Sequence, residues 1–185
     1  MCFMQKEEQY YVNKYPNNKL VFGEGNTNAK IFIIGEAPGG DEEEQGRPFV
    51  GKAGKNLDEF LKIAGVNRSD VYITNTVKLR PTKISPKTGK PVNRPPSKEE
   101  IDDFTPLLWQ ELFTIKPSLV VTLGNIPLKA VTSDSKITIG SVHGKLLQVE
   151  GIRLFPLYHP AAVIYNQSLR QTYMEDLEAI KDYLQ

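Results

Sequence analysis

Apolar residues recur along the chain in two rhythms. Short unbroken runs alternate with longer stretches in which every third or fourth position is apolar. "KIFIIG" (Lys30–Gly35) is a β-branched run closed by glycine, the pattern of a buried strand. In "NLDEFLKIAG", Leu57, Phe60, Leu61 and Ala64 share one helical face, and Gly65 is placed to end the helix. "DVYITN" (Asp70–Asn75) predicts a second strand. "SKEE" then has the form of a capping box, Ser97 as N-cap and Glu100 three residues on, before a helical stripe of Ile101, Phe104, Leu108 and Leu112. "SLVVTLG" (Ser118–Gly124) predicts a third strand and "NIPLKAV" a short helix. "GKLLQVEGIRLFPLYHP" predicts a hairpin-like piece and a fourth strand, "LFPLY", ending at His159. The chain closes on a helix whose buried face carries Leu169, Tyr173, Leu177, Ile180 and Leu184, with Ser168 and Gln171 offering a second capping box. The stretch up to about residue 20 shows no clear element. Strands alternating with helices predict an α/β fold: a mostly parallel sheet with helices on both sides.

In such sheets ligands bind beyond the carboxyl ends of the strands. Three predicted strands end in chemically useful groups: the first at "GEAPGG", the second at Asn75, the fourth at His159. Directly after the first come four carboxylates, Asp41 to Glu44, among glycines. These are either a solvated loop or part of a site.

Composition narrows the classes. A chain of 185 residues with 39% hydrophobic and 24% charged residues suits one globular domain, taken as residues 1–185. One cysteine, Cys2, excludes an intrachain disulfide framework and a cysteine-rich zinc site. The start has no long apolar core, so neither signal peptide nor membrane span is expected, and a cytoplasmic protein is the default. Net charge is +1, but it is unevenly spread. From Lys78 to Lys98 there are seven basic residues, five prolines and no acid. The prolines argue against a helix or a central strand. An extended basic loop follows, either a solvated excursion or a phosphate-binding element with Lys78, Arg80, Lys83 and Arg94 as contacts.

"GEAPG" with "GRPFVGKAG" after strand one, an Asn ending strand two, and "HPAAV" after strand four together resemble the uracil-DNA glycosylase superfamily, most closely its family 4. The resemblance covers most of the chain. It implies a three-layer α/β/α sandwich around a four-stranded parallel sheet. It also implies hydrolysis of the N-glycosidic bond of uracil in DNA, with the base flipped from the stack. The implied partner is uracil-containing DNA, single- or double-stranded, met by a monomer.

The resemblance also assigns roles. Asn75 would pair with uracil N3 and O4 and reject cytosine. His159 would donate to O2 as charge builds there, and Phe49 would stack on the flipped base. Glu36, by its placement at the end of the first strand rather than by the resemblance, is expected to position water or stabilise the cationic sugar. Glu42 matches a family acid beside the base pocket, where it would also crowd a thymine methyl. Ala37 stands where other families of the superfamily carry an Asp or Asn; family 4 shares the alanine. Gly39, with Gly40, Gly46, Gly51 and Gly54, would let backbone approach the ligand. Val163, Ile164 and Tyr165 would wedge the duplex or, alternatively, pack as an ordinary helix. Asp41, Glu43 and Glu44 are expected to be solvated.

Family 4 usually holds an iron–sulfur cluster on four cysteines. Here Leu79 and Phe104 stand where two of them are expected. No cofactor and no metal site are therefore expected, with apolar packing in their place. A covalent uracil-binding offshoot carries a His-containing insertion after the first motif, and "GGDEEEQGRPFVG" has neither insertion nor His. Two alternatives remain open: a glycosylase for another deaminated base, and a non-catalytic lesion-binding relative.

Overall fold

A computed structural model describes residues 3–183, apart from the side chains of residues 3, 4, 164 and 165. The predicted strands form where expected: β2 (Ile31–Gly35), β3 (Val71–Asn75), β6 (Leu119–Leu123) and β8 (Ile152–Leu157). They lie parallel in the order β3-β2-β6-β8. The sheet has six strands rather than four. Short β1 (Glu24–Gly25) pairs antiparallel with β3, and β7 (Leu147–Val149) antiparallel with β8. Both added strands are two or three residues long and sit at the edges. β7 with β8 forms the expected hairpin-like piece, β1 is too brief to register in sequence, and both cap what would be open parallel edges.

Alternation along each central strand divides the core. Ile33, Ile73, Val121 and Phe155 face α3 (Lys52–Ala64) and α8 (Leu169–Ile180). Phe32, Ile34, Tyr72, Val120 and Leu154 face α4 (Lys98–Ile115) and α5 (Asn125–Thr132). Covered faces on both sides explain why β3 and β6 are largely apolar and buried at every position. The predicted capping box at Ser97 forms. Its hydroxyl accepts from Glu100 N–H, and the Glu100 carboxylate accepts from Ser97 N–H at 2.7 Å. The one predicted at Ser168 does not. Ser168 is already helical (φ −65°, ψ −22°) and its side chain caps nothing.

Two further elements depart from the sequence reading. The acidic stretch is not loop but a short helix, α2 (Gly40–Gln45), closed by Gly46 at φ 69°. The N-terminal stretch contains helix α1 (Phe3–Lys14). It lacks an apolar stripe because it docks chiefly through one residue. Tyr11 stacks on Phe104 with centroids 5.0 Å apart and donates its hydroxyl to Asp103 O at 2.8 Å. Tyr15 stacks on the same ring at 5.2 Å, and Asp103 also bonds the Lys14 ammonium and the Tyr15 hydroxyl.

The "extended basic loop" folds as well. β4 (Thr82–Ile84) and β5 (Pro91–Asn93) make a separate two-stranded hairpin. Proline is tolerated there because the ribbon has only edges. Among the described residues, no helix is long and apolar enough to cross a membrane.

Candidate active site

At the carboxyl end of the sheet, β2 leads on to α3 on one face while its neighbour β6 leads on to α5 on the other. This is the switch point at which such sheets open a crevice. A cleft of about 510 Å³ lies there, lined by Glu36, Ala37, Gly39, Glu42, Phe49, Asn75, Asn93 and His159, among others. Three distant pieces of sequence thus meet at one rim, as the strand ends predict.

Gly35 is the floor. It pairs in register with Asn75 across β2 and β3. A methyl group on Gly35 would stand 2.3 Å from Asn75 Oδ1 and 2.5 Å from Phe49 Cζ. The Asn75 amide and the Phe49 ring therefore converge on the space that a side chain would fill. Asn75 is 2% exposed, and its amide makes no protein hydrogen bond among the described residues, which leaves an acceptor and a donor for a ligand.

Phe49 is held in an unusual backbone. Its φ is 54°, a left-handed conformation costly for a bulky residue. The start of α3 presses on it. A Cβ on Gly54 would lie 1.9 Å from Phe49 O, so only glycine admits this contact. The Phe49 ring lies 6.1 Å from that of His159, with planes 29° apart.

His159 N-caps α7 (Pro160–Tyr165), its Nδ1 accepting from Ala161 N–H at 3.1 Å. Burial pushes its pKa down to about 4, against the opposing pull of the Glu42 charge. The ring is therefore neutral at pH 7. With Nδ1 occupied as acceptor, the proton sits on Nε2, which can donate. Burial also raises the Glu36 carboxyl above its ordinary value, and no protein group hydrogen-bonds that carboxylate among the described residues. It is free to bind water or a cation.

Glu42 has a different place. Its carboxylate accepts from Gly39 N–H (3.1 Å), Val50 N–H (3.1 Å) and Gly51 N–H (2.9 Å). It ties the loop before α2 to the loop before α3, and so sets the cleft wall on both sides of Phe49. Ala37 presents a methyl group to the cleft and packs partly on the Tyr11–Phe104 cluster.

The basic residues divide sharply. Lys78 is not on the surface: it is 0% exposed, and its ammonium donates to Glu111 and to Asn75 O, both at 2.7 Å, and to Thr74 Oγ1. Burial lowers its pKa, and the Glu111 charge opposes that shift. A basic run in sequence suggested a DNA contact, but the residue lies inside, beneath the strand end. Arg80 bonds Asn93 Oδ1 at 2.7 Å and Glu43 at 3.1 Å, so Glu43 is paired rather than merely solvated. Arg94 grips Glu100 with two bonds of 2.7 Å. Lys83 alone of the four is exposed and in no ion pair among the described residues.

Val163 is half-buried against the α3–α8 core and lines a separate cavity of about 220 Å³, which favours helix packing over a free wedge. The side chains of Ile164 and Tyr165 lie outside the described residues.

Sequence reasoning missed Asn93. Arg80 occupies its Oδ1, and its Nδ2 lies 3.6 Å from where a Cβ on Gly39 would sit. Nothing in "KPVNRPP" marks it. Only the hairpin register carries it to the rim, opposite Thr82.

The residues do not fit the iron–sulfur cluster that the resemblance implies. Leu79 and Phe104 are buried in one apolar cluster with Tyr11, Val77 and Leu107. The chain has one cysteine, and no group of three or more His, Cys, Asp or Glu among the described residues is placed to hold a metal.

A family profile described as "Uracil DNA glycosylase superfamily" matches residues 22–182. The chain is 40% identical over 165 residues to a type-4 uracil-DNA glycosylase of Archaeoglobus fulgidus, covering 85% of this chain and 78% of that one. It is 41% identical over 173 residues to one from Pyrobaculum aerophilum (90% and 83%), and 37% over 168 residues to one from Thermotoga maritima (89% and 83%). With a cleft built from the three strand ends and a profile spanning β1 to the end of α8, the chain belongs to the uracil DNA glycosylase superfamily.

Proposed function

We infer that this protein hydrolyses the N-glycosidic bond of uracil in DNA, as a monomer and without an iron–sulfur cluster. The observation that carries the reading is the convergence of the unpaired Asn75 amide and the Phe49 ring over Gly35, with a neutral His159 beside them. The planar amide suits the N3–H and O4 edge of uracil, and the ring offers it a stacking face. Cytosine would present a donor where the Asn75 donor points and an acceptor where its oxygen points.

The chemical problem is a poor leaving group. Water oxygen bonds to C1′ as the C1′–N1 bond breaks, and the bond's electron pair leaves on uracil, spread toward O2. His159 Nε2–H donates to that oxygen. A neutral imidazole stabilises it without having to give up its proton. Glu36, ionised, holds the water, shields the developing sugar cation and takes the water proton. Its raised pKa makes it the better acceptor. Glu42 keeps the two loops in place, so its contribution is positioning rather than proton transfer.

Uracil release from single- and double-stranded oligonucleotides tests this. Release is expected, with Asn75→Ala lowering kcat/KM about ten- to hundredfold, the worth of one bidentate base contact at ~1–3 kcal/mol. No release from either DNA form by the wild type would overturn the reading. Release of hypoxanthine but not uracil would select the alternative lesion. A featureless spectrum near ~400 nm is expected, since the iron–sulfur chromophore needs thiolates that the chain lacks.

A further inference from the structure

The β4–β5 hairpin is anchored at its base and free at its end. At the base, Arg94 N–H bonds Pro81 O at 3.1 Å, Arg94 Nε bonds Thr82 O at 3.0 Å, and the Arg94 guanidinium is locked to Glu100. Toward the end, Ile84 is 65% exposed and Val92 37%. Lys83, Lys87 and Lys90 are exposed and in no ion pair among the described residues. No carboxylate lies anywhere between Lys78 and Lys98 to neutralise them.

Register fixes which residues share a face. Thr82 is opposite Asn93, Lys83 opposite Val92, and Ile84 opposite Pro91. Residues opposite one another, and those two apart, point the same way. Asn93, at the cleft rim, therefore shares its face with Thr82, Ile84 and Pro91, while Lys83 and Val92 take the other face. From the cleft outward that face runs from polar Asn93 and Thr82 to apolar Ile84 and Pro91, with Lys83 on the reverse face and Lys87 and Lys90 around the tip. At ~3.3 Å per residue, three residues reach ~10 Å, or about three steps of a nucleic-acid strand at ~3.4 Å each.

We propose that this hairpin is a second DNA-binding element. It grips the strand that carries the target nucleotide through Lys87 and Lys90 at its tip, with Lys83 reaching round the ribbon's edge from the reverse face, on phosphates beyond the nucleotides next to the flipped base, and with Ile84 and Pro91 against the sugars and bases between. This rests on DNA being the substrate. The occupant is a polyanion because three exposed ammonium groups on a ribbon without a carboxylate are in no ion pair among the described residues. It is the target strand because the ribbon begins at the cleft. Arg80 and Arg94, committed to Glu43, Asn93 and Glu100, build the ribbon's base and do not supply the contact.

The test uses the full chain with Lys83→Ser, Lys87→Ser and Lys90→Ser together, and Ile84→Ser separately. All four positions are exposed, so folding is preserved. For the triple variant on long uracil-containing oligonucleotides, KM is expected to rise with kcat unchanged. The slope of log affinity against log salt is expected to shrink by about 2 to 3, three phosphate contacts at ~0.7–0.9 each. On a trinucleotide too short to reach the hairpin, variant and wild type should coincide. An unchanged salt slope and an unchanged KM on long DNA would overturn the proposal. Anisotropy with uracil-free DNA reads the same slope without catalysis, so a failure of the hairpin is distinguishable from a failure of uracil excision.

Discussion

Glu36→Gln is expected to lower kcat for uracil release by about 10²–10⁴-fold, the usual worth of a general base, with KM little changed. Glutamine keeps the shape and can still hold a water, but it cannot accept a proton or offset the sugar cation. The pH profile separates this role from a structural one. Burial raises the Glu36 pKa above 4.5, and the ionised form is the active one. The wild-type rate should therefore fall as pH drops through a value above the ordinary carboxylate range. Removing Glu36 should abolish that limb, leaving only the step from His159 near 4. His159 itself should add no inflection near 6.5, the ordinary His value, because it is already neutral there. An acid limb that survives in Glu36→Gln above the His159 step would reassign the base.

The same two groups act on stability with opposite sign. The folded pKa of His159 is depressed, so its contribution is fully present above 6.5 and is lost as pH falls toward 4. That of Glu36 is raised, so its contribution is present below 4.5 and is lost as pH rises through the folded value. A cleft that keeps both groups active near neutrality thus stabilises the fold through His159 and destabilises it through Glu36.

The main frame of this cleft was legible in the sequence, because strand ends are. β-branched runs such as Val71–Asn75 signal a doubly covered strand, and topology then fixes where its last residue lies. That is why Asn75 and His159 could be named in advance. Lys78 shows the limit. A lysine within a basic, proline-rich run looks solvated by composition. Its burial depends on a carboxylate 33 residues away on α4, and no local pattern encodes that pairing. Asn93 depends likewise on a hairpin register, and Glu42 on three N–H groups from loops that its own helix does not contain. Helix α1 was missed because one tyrosine, rather than a stripe, holds it. Side chains whose function is to tie distant segments together are the ones that periodicity cannot find.

Glu111→Ala is expected to destabilise the protein by about 3–5 kcal/mol, the cost of leaving a buried ion without its partner, which is roughly 6–20 °C in Tm at this chain length. Solvent offers little rescue, since Lys78 is fully enclosed; among the described residues Thr74 Oγ1 and Asn75 O remain to bond it, and the Glu8 charge acts on it only at longer range. The sign of the pH effect follows from the depressed Lys78 pKa. The unfolded chain binds that proton more readily, so the deficit should shrink as pH rises and the buried amine loses its charge. Denaturant titrations at neutral and alkaline pH check both points. Combining Glu111→Leu with Lys78→Met should recover most of the stability, because an apolar pair of similar volume carries no desolvation penalty. Activity should not recover equally. Lys78 Nζ holds the Asn75 carbonyl at 2.7 Å, and the same residue presents its amide over Gly35. A stable double variant should therefore show a raised KM for uracil-containing DNA with the Glu36 limb of its pH profile unmoved. A double variant with wild-type KM would make the pair a structural tie alone, with no part in aiming the base-reading amide.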